Sequence, residues 1–226
     1  LFTLTFVNNR KIFISSSCIK SEDKIVDTIL ALFKNGIKNI ELSGGTKYYE
    51  NILEDLLNLK KDYNINFQLH NYFPPPQQDF VLNLGSLNDK IYNQTLDHFK
   101  KSIEISEALG STRFALHAGF LIDPNVKELG KKISSSTMYD RNRVLNRFCK
   151  GYSQLLRYTD NVSIYIENNV FSYKNSLNFE KNPFLFTSYE SYLELNEIID
   201  FKILLDLAHL KVSANTLNLN FYDEAG

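Results

Sequence analysis

The chain has 226 residues, of which 43% are hydrophobic and 23% are charged, and its formal net charge is −1. This length allows one sizeable core, and the composition is that of an ordinary globular protein. The balanced charge excludes a protein that binds nucleic acid through its overall charge, although a local basic patch is compatible with it.

Apolar runs typical of strands alternate with segments of helical periodicity along the chain, which predicts βαβ units around a parallel sheet. The predicted strands are KIFIS (11–15), IKNIEL (37–42), INFQLH (65–70), TRFALH (112–117), VSIYIE (162–167) and FKILLD (201–206). The predicted helices cover about 21–35, 47–61, 89–109 and 140–159. Thr187 and Glu190 form a predicted capping box that opens a further helix, and the tail after residue 206 shows no clear further unit.

Six such units fit part of a TIM-type (β/α) barrel, which requires eight. We expect residues 1–226 to form a single, incomplete α/β barrel domain that is truncated at its C-terminus, because an open version would expose both sheet edges. The competing interpretation is an open doubly wound sheet. Against it, no GxGxxG or GxxxxGK[ST] motif follows any predicted strand.

The cysteine content indicates the compartment. Cys18 and Cys149 lie far apart in sequence and form no CxxC pair, which favours a reduced, cytoplasmic protein. Cys18 is expected to be a small buried residue. No apolar run approaches the roughly 18 residues of a membrane-spanning helix, so no membrane association is expected.

Ligand-type side chains stand at the ends of four predicted strands. His70 and His117 end two of them, Glu167 ends a third, and Asp206 with His209 lies at the end of the last. Because the carboxyl ends of strands in a parallel barrel converge on one face, this pattern predicts a common metal site. Imidazole and carboxylate ligands without a thiolate suit zinc, manganese or iron, and they argue against a purely structural zinc site.

Each of these residues also has a structural interpretation. Asp206 could be the N-cap of a helix with an incidental His209, and Glu167 could belong to a buried ion pair. A lone histidine is more often a core residue than a ligand, but two at equivalent strand ends favour a site. His98, in the middle of a predicted helix, is expected on the surface.

Further polar and aromatic side chains are expected at the barrel mouth. Glu41 near the end of the second strand is one, and Asn168 could hold the neighbouring carboxylate or contact a substrate hydroxyl. Seven loop aromatics could wall a sugar pocket or simply cover the barrel top: Tyr72, Phe73, Phe120, Phe171, Tyr173, Phe184 and Phe186. The stretch KELGKK (127–132) is either solvated or the one local basic cluster that could meet a phosphate.

Four segments resemble, in their order and spacing, the xylose isomerase-like TIM-barrel superfamily. They are LHNYFPPP with NLGS downstream, SEALGSTRFALHAG, IYIENN and LLDLAHLKVSA, and they span about two thirds of the chain, 65–214. This superfamily contains endonuclease IV, sugar-phosphate isomerases and ketose 3-epimerases. The resemblance therefore implies a metal-dependent barrel.

The resemblance also implies roles for individual residues. Those that match metal-ligand positions of endonuclease IV-type members are His70, His117, Glu167, Asp206 and His209. In the epimerase members the positions of Glu167 and Asp206 hold the metal, whereas that of His209 contacts substrate. Ligands from a seventh and an eighth strand, a histidine and a glutamate among them, have no counterpart before Gly226.

Three functions are compatible with this pattern. The first is a zinc- or manganese-dependent isomerase or epimerase of a sugar or sugar phosphate, with Glu167 as metal-bound general base, His209 as a second catalytic group, and Tyr72, Glu41 and Asn168 contacting substrate. The second is an endonuclease IV-like phosphodiesterase acting on abasic DNA, which the extra imidazoles favour and the balanced charge does not. The third is a non-catalytic relative of the barrel. We expect a small sugar rather than nucleic acid as partner, and the chain could form a homo-oligomer.

Overall fold

The computed structural model describes residues 11–19 and 24–226 of the chain. It contains one sheet of six parallel strands whose spatial order follows the chain. The strands are β1 Ile14–Ser15, β2 Asn39–Leu42, β3 Asn66–Leu69, β4 Arg113–His117, β5 Ser163–Glu167 and β6 Lys202–Leu204. Each strand lies within a predicted apolar run, so the predicted parallel α/β fold is confirmed.

Helices follow each strand, directly or after a loop. They are α1 Ile25–Lys34, α2 Ile52–Tyr63, α3 Asp89–Ala108, α4 Arg141–Leu156, α5 Tyr173–Ser176, α6 Tyr189–Asn196, α7 Leu207–Leu217 and α8 Phe221–Ala225. Gly36 and Gly110 follow α1 and α3 with φ values of 79° and 69°. Both glycines therefore end a helix in the left-handed conformation that a side chain disfavours.

Three helix predictions differ from the structure. The helix expected over 47–61 begins only at Ile52, because the preceding segment is rich in tyrosine, a weaker helix former. The capping box before α6 uses Ser188 and Ser191, while the Thr187 hydroxyl accepts a hydrogen bond from Asn182 instead. The tail, for which no unit was predicted, forms α7 and α8. Its pattern escaped detection because α7 buries only one large apolar residue and two small ones.

The start predicted for the first helix, at Ser21, lies outside the described residues. The predicted burial of Cys18 is wrong, because its thiol is exposed. In the same turn Ser16 is buried instead, and its hydroxyl accepts a hydrogen bond from the backbone N–H of Ser43 at 2.8 Å. That bond joins the end of β1 to the end of β2.

The core lies between the sheet and its helices. A single cluster of buried side chains joins β2, β3, β4 and β5 to α1–α4 and α6. In strands β4 and β5 the side chains of Phe114, Leu116, Ile164 and Ile166 are each at most 2% exposed. Such dense apolar strands are typical of a parallel sheet that helices cover.

The sheet stays open within the described residues, with β1 and β6 at its edges. All three side chains of β6 are exposed, including Ile203. The structure is therefore an incomplete barrel, as predicted. None of the helices in the described ranges is both long and apolar enough to cross a lipid bilayer.

One close approach between a helix and a loop gives a test of this packing. Gly151 lies inside α4, and a Cβ atom built there would lie 2.7 Å from side-chain carbons of Leu84. Replacing a helical glycine with alanine usually stabilises a protein by about 1 kcal/mol. Here we expect Gly151→Ala to lower the free energy of unfolding by roughly 1–3 kcal/mol, because the added methyl overpacks the contact. Urea unfolding measures the change, and Lys150→Ala on the exposed side of α4 is the control. A more stable Gly151→Ala protein would contradict this packing.

Candidate active site and metal centre

Five ligand-type side chains meet at the carboxyl edge of the sheet. His117 and Glu167 are the last residues of β4 and β5, His70 follows β3, and Asp206 with His209 begins the segment after β6. They form two groups of three, His70–His117–Glu167 and Glu167–Asp206–His209, and within each group the potential ligand atoms lie within 4.8 Å of one another. The structure therefore brings the predicted residues to one place, and either group could hold a cation.

Glu167 is the residue that both groups share. Its Oε2 lies 3.8 Å from Nδ1 of His117 and its Oε1 lies 3.6 Å from Nδ1 of His209. The residue is only 4% exposed. Burial, together with the negative charges of Asp206 and Glu41, raises the pKa of Glu167 to about 8. Near neutral pH the metal-free carboxyl is therefore mostly protonated, and a divalent cation would favour the ionised form.

His70 and His117 are kept neutral by their surroundings. Burial lowers the pKa of His70 and, together with neighbouring histidines, lowers that of His117 well below its usual value. The two ring centroids lie 5.9 Å apart. Among the described residues neither buried Nδ1 atom has a hydrogen-bond partner. Neutral imidazoles with unpartnered buried nitrogens fit a metal ion, which needs their lone pairs.

Asp206 caps a helix and also faces the cluster. Its Oδ1 accepts the backbone N–H of His209 at 2.8 Å, and its Oδ2 lies 3.7 Å from Nδ1 of that histidine. The structural interpretation of Asp206 as an N-cap is thus correct and is compatible with a ligand role. His209 Nδ1 also lies 2.9 Å from the carbonyl oxygen of Asn168. A carbonyl only accepts, so Nδ1 is the donor and the lone pair of a neutral ring is on Nε2.

Two asparagines after β5 hold the loops around this cluster. Asn168 is buried and exchanges hydrogen bonds with the backbone of Asp206, donating to its carbonyl at 3.0 Å and accepting from its N–H at 2.7 Å. Its side chain therefore positions Asp206 rather than lying open to a substrate hydroxyl. Asn169 donates to the carbonyls of Ala118 and Leu185, at 2.7 and 2.9 Å. Together the two amides tie the loops after β4, β5 and β6 to one another.

Glu41 and Tyr72 complete the surroundings that the sequence predicted. Glu41 is half-buried in β2, close enough for its charge to act on both His70 and Glu167. The ring of Tyr72 stacks on His70, with centroids 5.8 Å apart. Burial and the charge of Glu167 raise the pKa of Tyr72 to about 12. Its phenol is therefore neutral and can donate a hydrogen bond.

The prediction that His98 lies free on the surface is wrong. Its ring is partly buried against the turn after β3, with Nε2 3.0 Å from the carbonyl oxygen of Asn71. One helical turn later, Ser102 donates to the carbonyl of Phe73 at 2.8 Å. These two residues of α3 hold the turn that carries His70 and Tyr72. Their i, i+4 spacing on one helix face is the signal that could have revealed the pair.

Asn83 is a supporting residue that the sequence did not single out beyond its place in NLGS. Its buried amide donates to the carbonyls of Phe120 and Ile122 and to Asp123, and its oxygen accepts the N–H of Phe120. Ser86 and Tyr139 also donate to the Asp123 carboxylate. This network fixes the loop that follows His117. The sequence signal is a polar residue between the apolar residues of VLNLG, which a buried loop must satisfy internally.

A cavity of about 830 Å³ opens beside the cluster. Tyr72, His117 and His209 line it together with residues of the loops after β4 and β5. Of the seven loop aromatics, four line this cavity: Tyr72, Phe120, Tyr173 and Phe184. The other three, Phe73, Phe171 and Phe186, are buried, and Phe73 and Phe186 belong to the main core. The volume suits a small organic ligand.

The raised pKa of Glu167 predicts how stability depends on pH in the metal-free protein. The folded state binds this proton more tightly than the unfolded state does. The stability that the proton contributes is therefore fully present below the unfolded pKa of Glu167 near 4.5, and it is lost as the pH rises to about 8. Glu167→Gln cannot ionise. We therefore expect the variant to gain stability relative to the parent as pH rises through this window, by up to roughly 1.4 kcal/mol per pH unit.

Urea unfolding at intervals between pH 5 and pH 8, with chelator present, measures this difference. The control is Glu50→Gln, at an exposed carboxyl outside the cluster. A Glu167→Gln curve parallel to the parent curve over the whole window would show that Glu167 is not held in its neutral form.

Comparison with solved structures shows the same fold in several enzymes. A D-tagatose 3-epimerase-like protein is 20% identical, with 93% of this chain and 68% of that chain covered and a TM-score of 0.65. The 3-keto-D-glucoside 4-epimerase from E. coli is 11% identical, with 94% of this chain and 74% of that chain covered and a TM-score of 0.63. Endonuclease IV from Thermus thermophilus is 13% identical, with 94% of this chain and 68% of that chain covered and a TM-score of 0.53. At these identities the likeness concerns the fold alone.

Sequence comparison supplies the family. No curated protein sequence matches the chain. A family model described as xylose isomerase-like TIM barrel matches residues 30–223. This match covers most of the chain and agrees with the six-stranded parallel sheet and with the resemblance of the four sequence segments. The chain therefore belongs to the xylose isomerase-like TIM barrel family.

Proposed function

We propose that this protein is a divalent-metal-dependent enzyme that isomerises or epimerises a sugar or sugar phosphate. The observation that carries the proposal is the buried Glu167 between two histidines, both of which line a cavity large enough for a sugar. The fold neighbours named as sugar epimerases support the reaction class. We also propose that residues 1–226 belong to one domain and that the enzyme is cytoplasmic, because Cys18 and Cys149 are free thiols.

The residues that would hold zinc or manganese are His70, His117, Glu167, Asp206 and His209. When bound, such a cation polarises a sugar carbonyl and a neighbouring hydroxyl, which acidifies the adjacent C–H bond. Glu167 is the general base that takes this proton, or returns one, on one face of the sugar. A bound cation would favour the ionised carboxylate, which is the form that a general base requires.

The remaining residues bind and orient the substrate. His209 keeps a lone pair on Nε2 because its Nδ1 donates to Asn168, so the ring accepts a hydrogen bond from a sugar hydroxyl or ligates the cation. Tyr72 donates from its neutral phenol at the cavity wall. Glu41 accepts from a hydroxyl on the side of β2. The covering phenylalanines Phe120 and Phe184 keep water from the sugar ring.

An endonuclease IV-like phosphodiesterase acting on abasic DNA is the second candidate. It is favoured by one specific observation: two groups of three ligands share Glu167, which leaves room for more than one cation. The net charge of −1 does not favour it, because DNA binding relies on phosphate neutralisation by clustered lysine and arginine. A protein without catalytic activity would not need the buried carboxyl of Glu167, which is costly to keep.

Metal binding is the first test. We expect the metal-stripped protein to bind Zn²⁺ or Mn²⁺ and to release protons on binding near neutral pH, because Glu167 must ionise. Isothermal titration calorimetry in two buffers of different ionisation enthalpy measures affinity and proton release together. His117→Ala should weaken binding by at least about tenfold. Glu50→Gln, which changes an exposed carboxyl outside the cluster, should bind as the parent does. Equal affinity in both variants would remove His117 from the site.

Activity is the second test. Ketoses and their phosphates are incubated with the metal-loaded protein, with and without chelator, and an abasic DNA duplex is incubated in parallel. We expect sugar interconversion that chelator abolishes, and a loss of about 10²- to 10⁴-fold in kcat for Glu167→Gln, the size usual for a general base. Metal content measured on the same variant separates loss of the base from loss of the cation. Glu50→Gln is the matched control. Cleavage of the duplex without sugar turnover would support the second candidate instead.

A further inference from the structure

The loops that line the 830 Å³ cavity carry a cluster of positive charge. Lys131, Lys132 and Lys174 line this cavity, and no aspartate or glutamate is among the residues that line it. None of the three lysines forms an ion pair with any carboxylate in the described part of the chain. The whole chain has a net charge of −1, so this concentration of lysine is a local feature and not a consequence of composition.

The backbone beneath these lysines is held in place. Ile133, next to Lys132, donates its N–H to Asn175 Oδ1 at 2.8 Å, and Asn178 donates to the Ile133 carbonyl at 2.6 Å. Ile133 itself is 4% exposed, within the small apolar cluster that covers the barrel top. The loop after β4 is therefore joined to α5, which carries Lys174. The lysine side chains are exposed, but the two segments that present them are fixed relative to each other.

The nearest acidic residue in sequence is directed elsewhere. Glu128 accepts a hydrogen bond from the Ser134 hydroxyl, and it does not line the cavity. The carboxylates of the metal cluster do not line the cavity either, although Glu167 lies beside His117 and His209, which do. The cavity lining therefore combines imidazoles of the metal cluster with three ammonium groups and contains no carboxylate. A ligand with a carbonyl at one end and an anion at the other matches this arrangement.

We propose that Lys131, Lys132 and Lys174 form a phosphate-binding subsite, and that the substrate is a sugar phosphate whose phosphate lies at the end distant from the reacting carbonyl. This inference rests on the proposed function and specifies its substrate class. Lysine ammonium groups bind phosphate as point charges, and three of them suit a dianion better than the single charge of a carboxylate. The carboxylates of the cluster repel the phosphate, so the charge pattern also fixes the direction in which the sugar enters.

The test compares matched pairs of substrates. D-Fructose and D-ribulose, each with its terminally phosphorylated form, are assayed with the Mn²⁺-loaded protein, and binding of each is measured by calorimetry. We expect kcat/KM and affinity to be at least about tenfold higher for the phosphorylated form, and the preference to shrink as ionic strength rises. Equal values for the two forms, or a stronger preference for a hexuronate, would overturn the proposal.

The variants are Lys131→Gln, Lys132→Gln, Lys174→Gln and their combination. Each should reduce the ratio of kcat/KM between the phosphorylated and the neutral sugar, and the triple variant should reduce it to near unity. The matched controls, Lys127→Gln and Lys181→Gln, change exposed lysines of the same two loops that do not line the cavity. They should leave the ratio unchanged. An unchanged ratio in the triple variant would overturn the proposal, with circular dichroism confirming that it folds.

The outcome is separable from that of the proposed function. If no sugar is turned over, the proposed function fails, but binding of the phosphorylated sugar and its loss in the triple variant would still support the subsite. If the neutral sugar is turned over as well as its phosphate, the function stands and the subsite does not. If the parent protein instead binds or cleaves an abasic duplex and the triple variant does not, the lysines bind nucleic acid and the sugar-phosphate proposal is overturned.

Discussion

The register of β4 against β5 is the constraint on which the site depends. The Cα atoms of His117 and Glu167 are paired across these two strands. On its other side, β5 pairs with β6, where Glu167 lies opposite Leu204. Because side chains alternate between the two faces of a strand, a slip of one residue would turn one of these groups away from the other. The buried apolar residues before each of them prevent such a slip, since it would move them out of the core.

Beyond the strand ends the backbone no longer forms the hydrogen bonds that join neighbouring strands. Asparagine side chains form hydrogen bonds with the backbone there instead. Asn83, Asn168, Asn169 and Asn175 each bond to backbone groups of a different loop. A loop that crosses a buried site must satisfy its own N–H and C=O groups, and an amide can donate and accept at once. These contacts carry no charge, so they hold the loops without adding to the electrostatics of the cluster.

The cluster itself is arranged for binding rather than for stability. A carboxyl that is 4% exposed and two buried histidine nitrogens without partners among the described residues are unfavourable unless a ligand satisfies them. A cation would satisfy all three groups at once, because it favours both the ionised carboxylate and the neutral imidazole.

The sequence by itself determined the alternation of strands and helices, because the apolar runs and the helical periodicity are local properties. It also determined which side chains end the strands, and therefore that His70, His117, Glu167, Asp206 and His209 meet, since parallel strands bring their ends to one edge. The sequence did not predict the exact helix bounds, the polar tail helices or the exposure of Cys18. Short or weakly amphipathic segments take their structure from tertiary contacts, which a local pattern does not show.

Only the tertiary structure decided the finer features. Contacts between residues distant in sequence turned His98 towards Asn71 and paired the Asn168 side chain with the backbone of Asp206. They also placed three lysines in the lining of the cavity that His117 and His209 share. The pKa of Glu167 likewise comes from burial and from Asp206 and Glu41, which belong to other strands and loops. No local pattern encodes such distances, whereas the identity of a residue at the end of a strand can be read directly from the chain.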